Sequence, residues 1–276
     1  MHRPNRAPLK GKILATLFYE PSTRTRFSFE SAMIKLGGNV ITTENAAEFS
    51  SAAKGETIED TIRVVNQYAD AIVLRHFDIG AALSASLVSE VPIINAGDGA
   101  GQHPTQALLD LYTIKKEVGR LDNLKVALVG DLKHGRTVRS LAYLLGKYKN
   151  IHIDLISPKA LRIGEDIKEY LEKHQVTFSE TEDLANTARE ADVIYQTRIQ
   201  KERFSDPTTY KKYKGVYKIN GELVKKMKKK AVIMHPLPRV DEISREVDDL
   251  PQAVYFKQVK YGLHLRMALL QHLIGK

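Results

Sequence analysis

The chain has 276 residues, 43% hydrophobic and 27% charged, with 42 Lys and Arg against 33 Asp and Glu and no cysteine. That length suits two domains or one large α/β unit, and the composition is that of a globular protein rather than a fibrous or disordered one. The missing thiols exclude disulfides, thiolate metal sites and a cysteine nucleophile and fit the cytoplasm, and no apolar run approaches the roughly 18 residues of a membrane span.

The net charge of +9 is concentrated in Lys211-Lys212-Tyr213-Lys214 and Lys225-Lys226-Met227-Lys228-Lys229-Lys230. Such runs suit small anionic substrates or nucleic acid. They hold little aromatic interleaving, and no RRM, KH or zinc-finger signature accompanies them, so no nucleic-acid partner is expected. The opening MHRPNRAPLKGK has no apolar core, so no secretory signal is expected either.

Lys12 to Phe18 is a short apolar run and reads as a buried strand. Glu20 to Gly38 follows, crowding Ser22-Thr23-Arg24-Thr25-Arg26 into the start of a helical pattern carried by Phe27, Phe29, Met33 and Leu36. A strand, a polar turn and a helix start make an anion site: the first N–H groups have no intrahelical partner and the dipole favours negative charge. Ser22, Thr23 and Thr25 add hydroxyl donors, and Arg24 adds a planar fork that matches two phosphate oxygens. One hydroxyl would suffice for a helix cap; five consecutive donors exceed that need. No GxxxxGK[ST] or GxGxxG spacing occurs, so this is neither a Walker loop nor a dinucleotide fingerprint.

Glu56 to Tyr68 carries a helical stripe, Ala71 to Leu74 reads as a strand, Ile79 to Ser89 as a helix and Val91 to Asn95 as a strand. The loop Asn95 to Gln106 is glycine-rich and leads into a helix over Pro104 to Val118, with proline in its first turn. His103 and Gln106 lie three apart at that helix start and face one direction. Taken alone, His103 could equally cap the helix. Gly119 to Asn123 is polar and turn-rich. Beyond it the pattern restarts, with a strand at Lys125–Gly130, a helix over Thr137–Lys147, and strands at Ile151–Ile156, Val176–Ser179, Val193–Tyr195 and Ala231–Met234 alternating with helical stretches. His235-Pro236-Leu237-Pro238-Arg239 follows the last strand as a stiff loop whose carbonyls can accept hydrogen bonds. Lys257 to Ile274 is helical.

This alternation predicts an α/β chain of two α/β domains, each a mainly parallel sheet with helices on both faces. The expected division is 1–118 and 119–256, with the final helix, 257–276, returning to the first domain. In open α/β sheets ligands bind beyond the strand carboxyl ends, where the three polar loops fall.

The motifs PSTRTR, HPTQALLDLYT and HPLPR, in this order, resemble those of the aspartate carbamoyltransferase catalytic chain. AIVLRH at Ala71–His76, NAGD at Asn95–Asp98, GDLKHGRTV at Gly130–Val138 and TRIQKER at Thr197–Arg203 extend the resemblance over nearly the whole chain. Ornithine carbamoyltransferases share the first two motifs but carry a cysteine in an HCLP loop and an SMG loop. Here the loop is HPLP, and the SMG position reads Thr197-Arg198-Ile199-Gln200. Arginine and glutamine donors suit a second carboxylate, whereas an ornithine ammonium would call for acceptors.

The resemblance implies transfer of the carbamoyl group of carbamoyl phosphate to L-aspartate, giving N-carbamoyl-L-aspartate and phosphate in de novo pyrimidine biosynthesis, without cofactor or metal. It implies that Ser22, Thr23, Arg24 and Thr25 hold the phosphate with Arg75. Thr25, Arg75 and His103 would polarise the carbamoyl oxygen. Gln106 and the carbonyls of Leu237 and Pro238 would grip the carbamoyl amide, and Arg136, Arg198 and Gln200 would bind the aspartate carboxylates. Ser50 and Lys54 would reach a neighbouring subunit's site in a homotrimer, to which a regulatory chain or other pyrimidine enzymes could attach. Arg26 is left without a ligand role and is expected to hold the loop. His134 stands where members of the family carry tyrosine.

Family members also carry a further helix ahead of the Lys12 strand, packed on the final helix. The expectation is a truncated sequence, a start at a downstream Met, or another chain covering Leu263, Leu265, Met267, Leu269, Leu270, Leu273 and Ile274. The competing readings are a carbamoyltransferase for another amino acid, a non-catalytic partner of pyrimidine enzymes, and a basic nucleic-acid binder.

Overall fold

The computed structural model describes residues 7–49, 51–199 and 207–275. They fall into two compact units, 1–105 with 260–276, and 106–259.

In the first unit, strands β1 (Ile13–Phe18), β2 (Asn39–Glu44), β3 (Ala71–His76) and β4 (Ile93–Asp98) form one parallel sheet in the order β2-β1-β3-β4. Helices α1 (Thr23–Lys35), α2 (Ala46–Phe49), α3 (Ile58–Val65) and α4 (Ala81–Val88) connect them, with a 3-10 turn at Ser51–Lys54. The period-2 alternation of buried strands sorts the core into two layers. Leu14, Phe18, Ala71 and Val73 pack with Phe29, Ala32 and Met33 of α1. Ala15, Leu17, Ile72 and Leu74 pack on the other side with Ile62 of α3 and Ala82 and Ala85 of α4. β2 was absent from the sequence reading. It is one of the sheet's two edge strands and is exposed or half-buried throughout, so it lacks the apolar run that marks its neighbours.

In the second unit, β5 (Leu124–Val129), β6 (Ile151–Ile156), β7 (Thr177–Thr181), β8 (Val193–Gln196) and β9 (Val232–Met234) form a parallel sheet in the order β7-β6-β5-β8-β9. One face carries Val126, Leu128, Ile153 and Tyr195 against α5 (Pro104–Glu117), α6 (Arg136–Leu145) and α7 (Glu165–Lys173). The other carries Ala127, Val129, Ile194 and Ile233 against α8 (Leu184–Thr187) and α10 (Gly221–Lys226). A further helix, α9, spans Pro207–Tyr213.

The division between units differs from the one expected at Gly119. Leu111 and Ile114 of α5 are buried in the core of the second sheet, so packing assigns the helix from Gln106 onward to the second unit. The last helix, α11 (Tyr255–Ile274), passes from the second unit to the first at Lys260. Leu270 and Ile274 are buried in the first unit's core, and Leu263, Met267, Leu269 and Leu273 pack against it. Much of the apolar face for which a cover from another chain was one expectation thus packs on the chain's own sheet layer.

Candidate active site

The first unit presents polar loops at the carboxyl ends of adjacent strands. β1 runs into Ser22–Thr25, and its Phe18 pairs with Arg75 at the end of β3. Ser22 stands at the N-cap of α1, but its side chain makes no capping hydrogen bond, and the first turn contains no acidic residue. The helix N-terminus is therefore not closed by the local hydroxyl, and its own first turn supplies no carboxylate. Thr25 is buried, while Thr23 and Arg24 face outward. Partial desolvation holds the Arg24 guanidinium below its ordinary pKa. Arg26 points elsewhere, with its guanidinium 3.0 Å from Glu44 and 3.7 Å from Glu30. It ties α1 to β2.

Arg75 is only 8% exposed. Its guanidinium donates to the Ala96 carbonyl at 3.2 Å and pairs with the Glu20 carboxylate at 2.9 Å. Both contacts fix its orientation, and Glu20 had not been singled out from the sequence. His103 is buried beyond β4, in the loop built on Asp98. The Asp98 carboxylate accepts from the N–H groups of Gln102 at 2.7 Å and Gly80 at 3.2 Å, and the Asp98 carbonyl from Gly101 at 2.8 Å. Gly99 has φ +54, and a Cβ there would lie 2.3 Å from the Phe77 carbonyl oxygen. Only glycine passes that point without moving backbone.

The second unit repeats the arrangement. Arg136 begins α6 beyond β5, Arg198 follows β8, and Leu237-Pro238 follows β9. The three strands are neighbours, in the order β5-β8-β9. Arg136 and Arg198 are half-buried. Thr197 anchors the arginine beside it, since its N–H and its hydroxyl both donate to the Val129 carbonyl at 2.8 Å. Gly130, at φ +118, makes room, because a Cβ would lie 2.5 Å from the Thr197 carbonyl oxygen. Arg198 lines a cleft with Tyr210, Lys214, Tyr217 and Asp241. His134 hydrogen-bonds to the buried Asp131 carboxylate at 3.1 Å, so it braces this loop from within.

The loop after β9 is held by its own His235 and by a carboxylate that sequence reasoning missed, Glu242. The Leu237–Pro238 peptide bond is cis, and Leu237 has φ +54. The Leu237 N–H donates to His235 Nδ1 at 2.7 Å. His235 Nε2 therefore bears the proton of the neutral ring and donates to Glu242 Oε1 at 2.8 Å. Glu242 Oε2 accepts from the N–H groups of Val240 and Asp241, each at 3.1 Å. Burial pushes the Glu242 carboxyl up, but these hydrogen bonds outweigh it and hold its pKa below the ordinary value. Arg239 is turned away to Asp248, with its guanidinium 5.4 Å from the centre of the Tyr255 ring. Gln106 is buried on α5, its amide nitrogen donating to Asp110 at 2.9 Å.

Lys54 is exposed at the end of the 3-10 turn and makes no ion pair among the described residues. Ser50 and Gln200 lie outside the described residues. Among the described residues, no group of three His, Cys, Asp or Glu side chains could hold a metal ion, and no helix is long and apolar enough to cross a membrane.

Two family models cover this chain. The carbamoyl-P binding domain of aspartate/ornithine carbamoyltransferase matches residues 1–116, and the Asp/Orn binding domain matches residues 122–273. The chain belongs to the aspartate/ornithine carbamoyltransferase family. Within it, aspartate carbamoyltransferase 3, chloroplastic, of Pisum sativum is 60% identical over 98% of this chain and 70% of its own length. The catalytic subunit from Methanocaldococcus jannaschii is 60% identical over 96% of this chain and 86% of its own. A crystal structure of the M. jannaschii catalytic subunit superposes with a TM-score of 0.90, at 59% identity, covering 97% of this chain and 87% of that one. The Trypanosoma cruzi enzyme in complex with N-(phosphonacetyl)-L-aspartic acid superposes with a TM-score of 0.91 at 43% identity, over 97% of this chain and 85% of that one.

Proposed function

We propose that the chain is a catalytic chain transferring the carbamoyl group of carbamoyl phosphate to L-aspartate, a step of pyrimidine synthesis. The observation that carries the reading is the start of α1. A serine hydroxyl not engaged in capping, a first helical turn without an acid and an outward arginine follow the strand whose end pairs with Arg75. That set suits a phosphate. Relatives at about 60% identity bear the aspartate name, and the cysteine-free HPLP loop and the arginine at position 198 suit a dicarboxylate rather than an ornithine ammonium.

Carbamoyl phosphate is a mixed anhydride and needs no covalent enzyme intermediate, so the work left to the protein is orientation and charge stabilisation. In the first unit, Ser22, Thr23, Arg24, Thr25 and Arg75 hold the phosphate. Thr25, Arg75 and His103 stabilise the oxygen anion that develops on the carbamoyl carbon. In the second unit, Gln106 and the carbonyls of Leu237 and Pro238 accept hydrogen bonds from the carbamoyl NH2, while Arg136, Arg198 and Gln200 bind the two carboxylates of aspartate. The neutral aspartate amine bonds to the carbamoyl carbon, the bond from that carbon to the phosphate oxygen breaks, and the amine proton leaves on the departing phosphate.

A homotrimer with Ser50 and Lys54 contributed across subunits completes the reading, in keeping with the exposure of Lys54. The cytoplasm is the proposed compartment, on the cysteine-free composition. The deciding assay is formation of ureido product from carbamoyl phosphate with aspartate or with ornithine. Turnover with aspartate and none with ornithine is expected; the reverse, or neither, would discard the assignment.

A further inference from the structure

A fully buried carboxylate in the second unit has no part in the mechanism above. Asp110 is 0% exposed on α5, one turn beyond Gln106. Its Oδ1 accepts from the Gln106 amide nitrogen at 2.9 Å and from the Gln258 amide nitrogen at 2.6 Å. Gln258, 2% exposed, in turn accepts the N–H of His235 on its Oε1 at 3.1 Å. The Tyr195 hydroxyl adjoins the same group, since burial first and then the Asp110 carboxylate push its pKa well up.

We infer that Asp110 is a positioning residue that sets the polarity of the site toward the carbamoyl nitrogen. An amide side chain has a donor end and an acceptor end, and nothing intrinsic decides which faces a ligand. A carboxylate offers only acceptors, so it takes the NH2 end of Gln106 and turns Oε1 the opposite way. The same carboxylate takes the NH2 end of Gln258, whose Oε1 then fixes the first residue of the loop carrying the Leu237 and Pro238 carbonyls. One buried anion thereby sets three acceptors to face a donor, and an NH2 is the donor that separates a carbamoyl group from an acetyl group of the same size. The inference rests on the carbamoyl-transfer reading.

The test uses the full chain with carbamoyl phosphate as substrate and acetyl phosphate, in which CH3 replaces NH2, as competitive inhibitor. Asp110→Asn keeps size and removes the charge, and it offers its own NH2 to Gln106, which favours the flipped amide. KM for carbamoyl phosphate is expected to rise roughly tenfold or more, the scale of a buried hydrogen bond lost or reversed. The inhibition constant of acetyl phosphate should stay within about twofold, because its methyl group makes no such bond. Should D110N fail to fold, Gln258→Met, uncharged and nearly isosteric, severs the loop arm alone. It is expected to give the same selectivity with a smaller rise, roughly threefold to tenfold. Equal shifts for both ligands, or none, in whichever variant folds would overturn the inference. Absence of wild-type turnover would instead discard the underlying reading.

Discussion

Arg24 and Arg198 are both guanidinium groups, yet in the proposed reaction they meet different charges. Arg24 faces the phosphate as it departs and gains negative charge, so its contribution grows toward the transition state. Arg198 faces a carboxylate whose charge is the same throughout. Arg24→Ala is therefore expected to lower kcat by roughly 100- to 1,000-fold, the usual cost of removing one preorganised donor. Arg198→Ala is expected to raise KM for aspartate by roughly 10- to 100-fold, as for a lost charge-assisted hydrogen bond, with a smaller effect on kcat. Steady-state kinetics with each substrate varied separates the two; a pure kcat loss in R198A would contradict its role. At this scale the sequence was most informative for groups that announce themselves by crowding, as in Ser22 to Arg26. It was least informative for their supports. Asp110 stands four positions after Gln106 on one helix face, which is a usable signal. Gln258, another of its partners, is 148 positions away, and no local pattern joins such residues. Glu20 sits beside the hydroxyl cluster and was passed over because one acid next to five donors reads as a neighbour, not a partner.

At the level of elements, the loop after β9 depends on Glu242 more than on its own prolines. One carboxylate answers three donors: His235 Nε2 and the N–H groups of Val240 and Asp241. Glu242→Gln replaces one acceptor oxygen by a donor amide and leaves at least one of these unanswered. A loss of about 1–3 kcal/mol at pH 7 is expected. The folded pKa of Glu242 lies below its ordinary value of 4.5. Its stabilisation is therefore complete above pH 4.5 and fades as the pH falls through the folded value. Chemical denaturation of wild type and E242Q from pH 7 to pH 3 should give curves whose separation is constant down to about pH 4.5 and narrows below it; a separation that widens there would contradict the pairing. The elements themselves were largely legible because parallel strands buried on both faces are continuous apolar runs, as in Ala71 to Leu74. β2 escaped because its signal was of another kind. Val40, Ile41, Thr42 and Thr43 are β-branched, but none of them is fully buried, and Val40 alone of the four packs against the core cluster described for this unit. The packing division falls ahead of the Gly119 turn because that turn is a local break, whereas the burial of Leu111 and Ile114 is tertiary.

For the molecule as a whole, the exposed Lys54 yields a test of shared sites. In a cyclic trimer each site would take Arg24 from one chain and Lys54 from the next. Arg24→Ala and Lys54→Ala chains are each expected to be nearly inactive alone. Mixed by denaturation and refolding in equal amounts, they should recover about a quarter of wild-type activity, since random heterologous rings then hold one intact site in most trimers. No recovery would remove shared sites from the account.

The outer rim of the first sheet has a bearing on how such chains live at high concentration. Among the described residues nothing pairs with β2 on its far side, and an open backbone row of that kind can template growth of a fibril. The rim is six residues long and begins and ends with Asn39 and Glu44, the latter clasped by Arg26. An incoming strand would find only these six residues to pair with and would bring its own side chains against polar ones at both ends. A rim this short, with polar residues at both ends, offers a further strand little to add to.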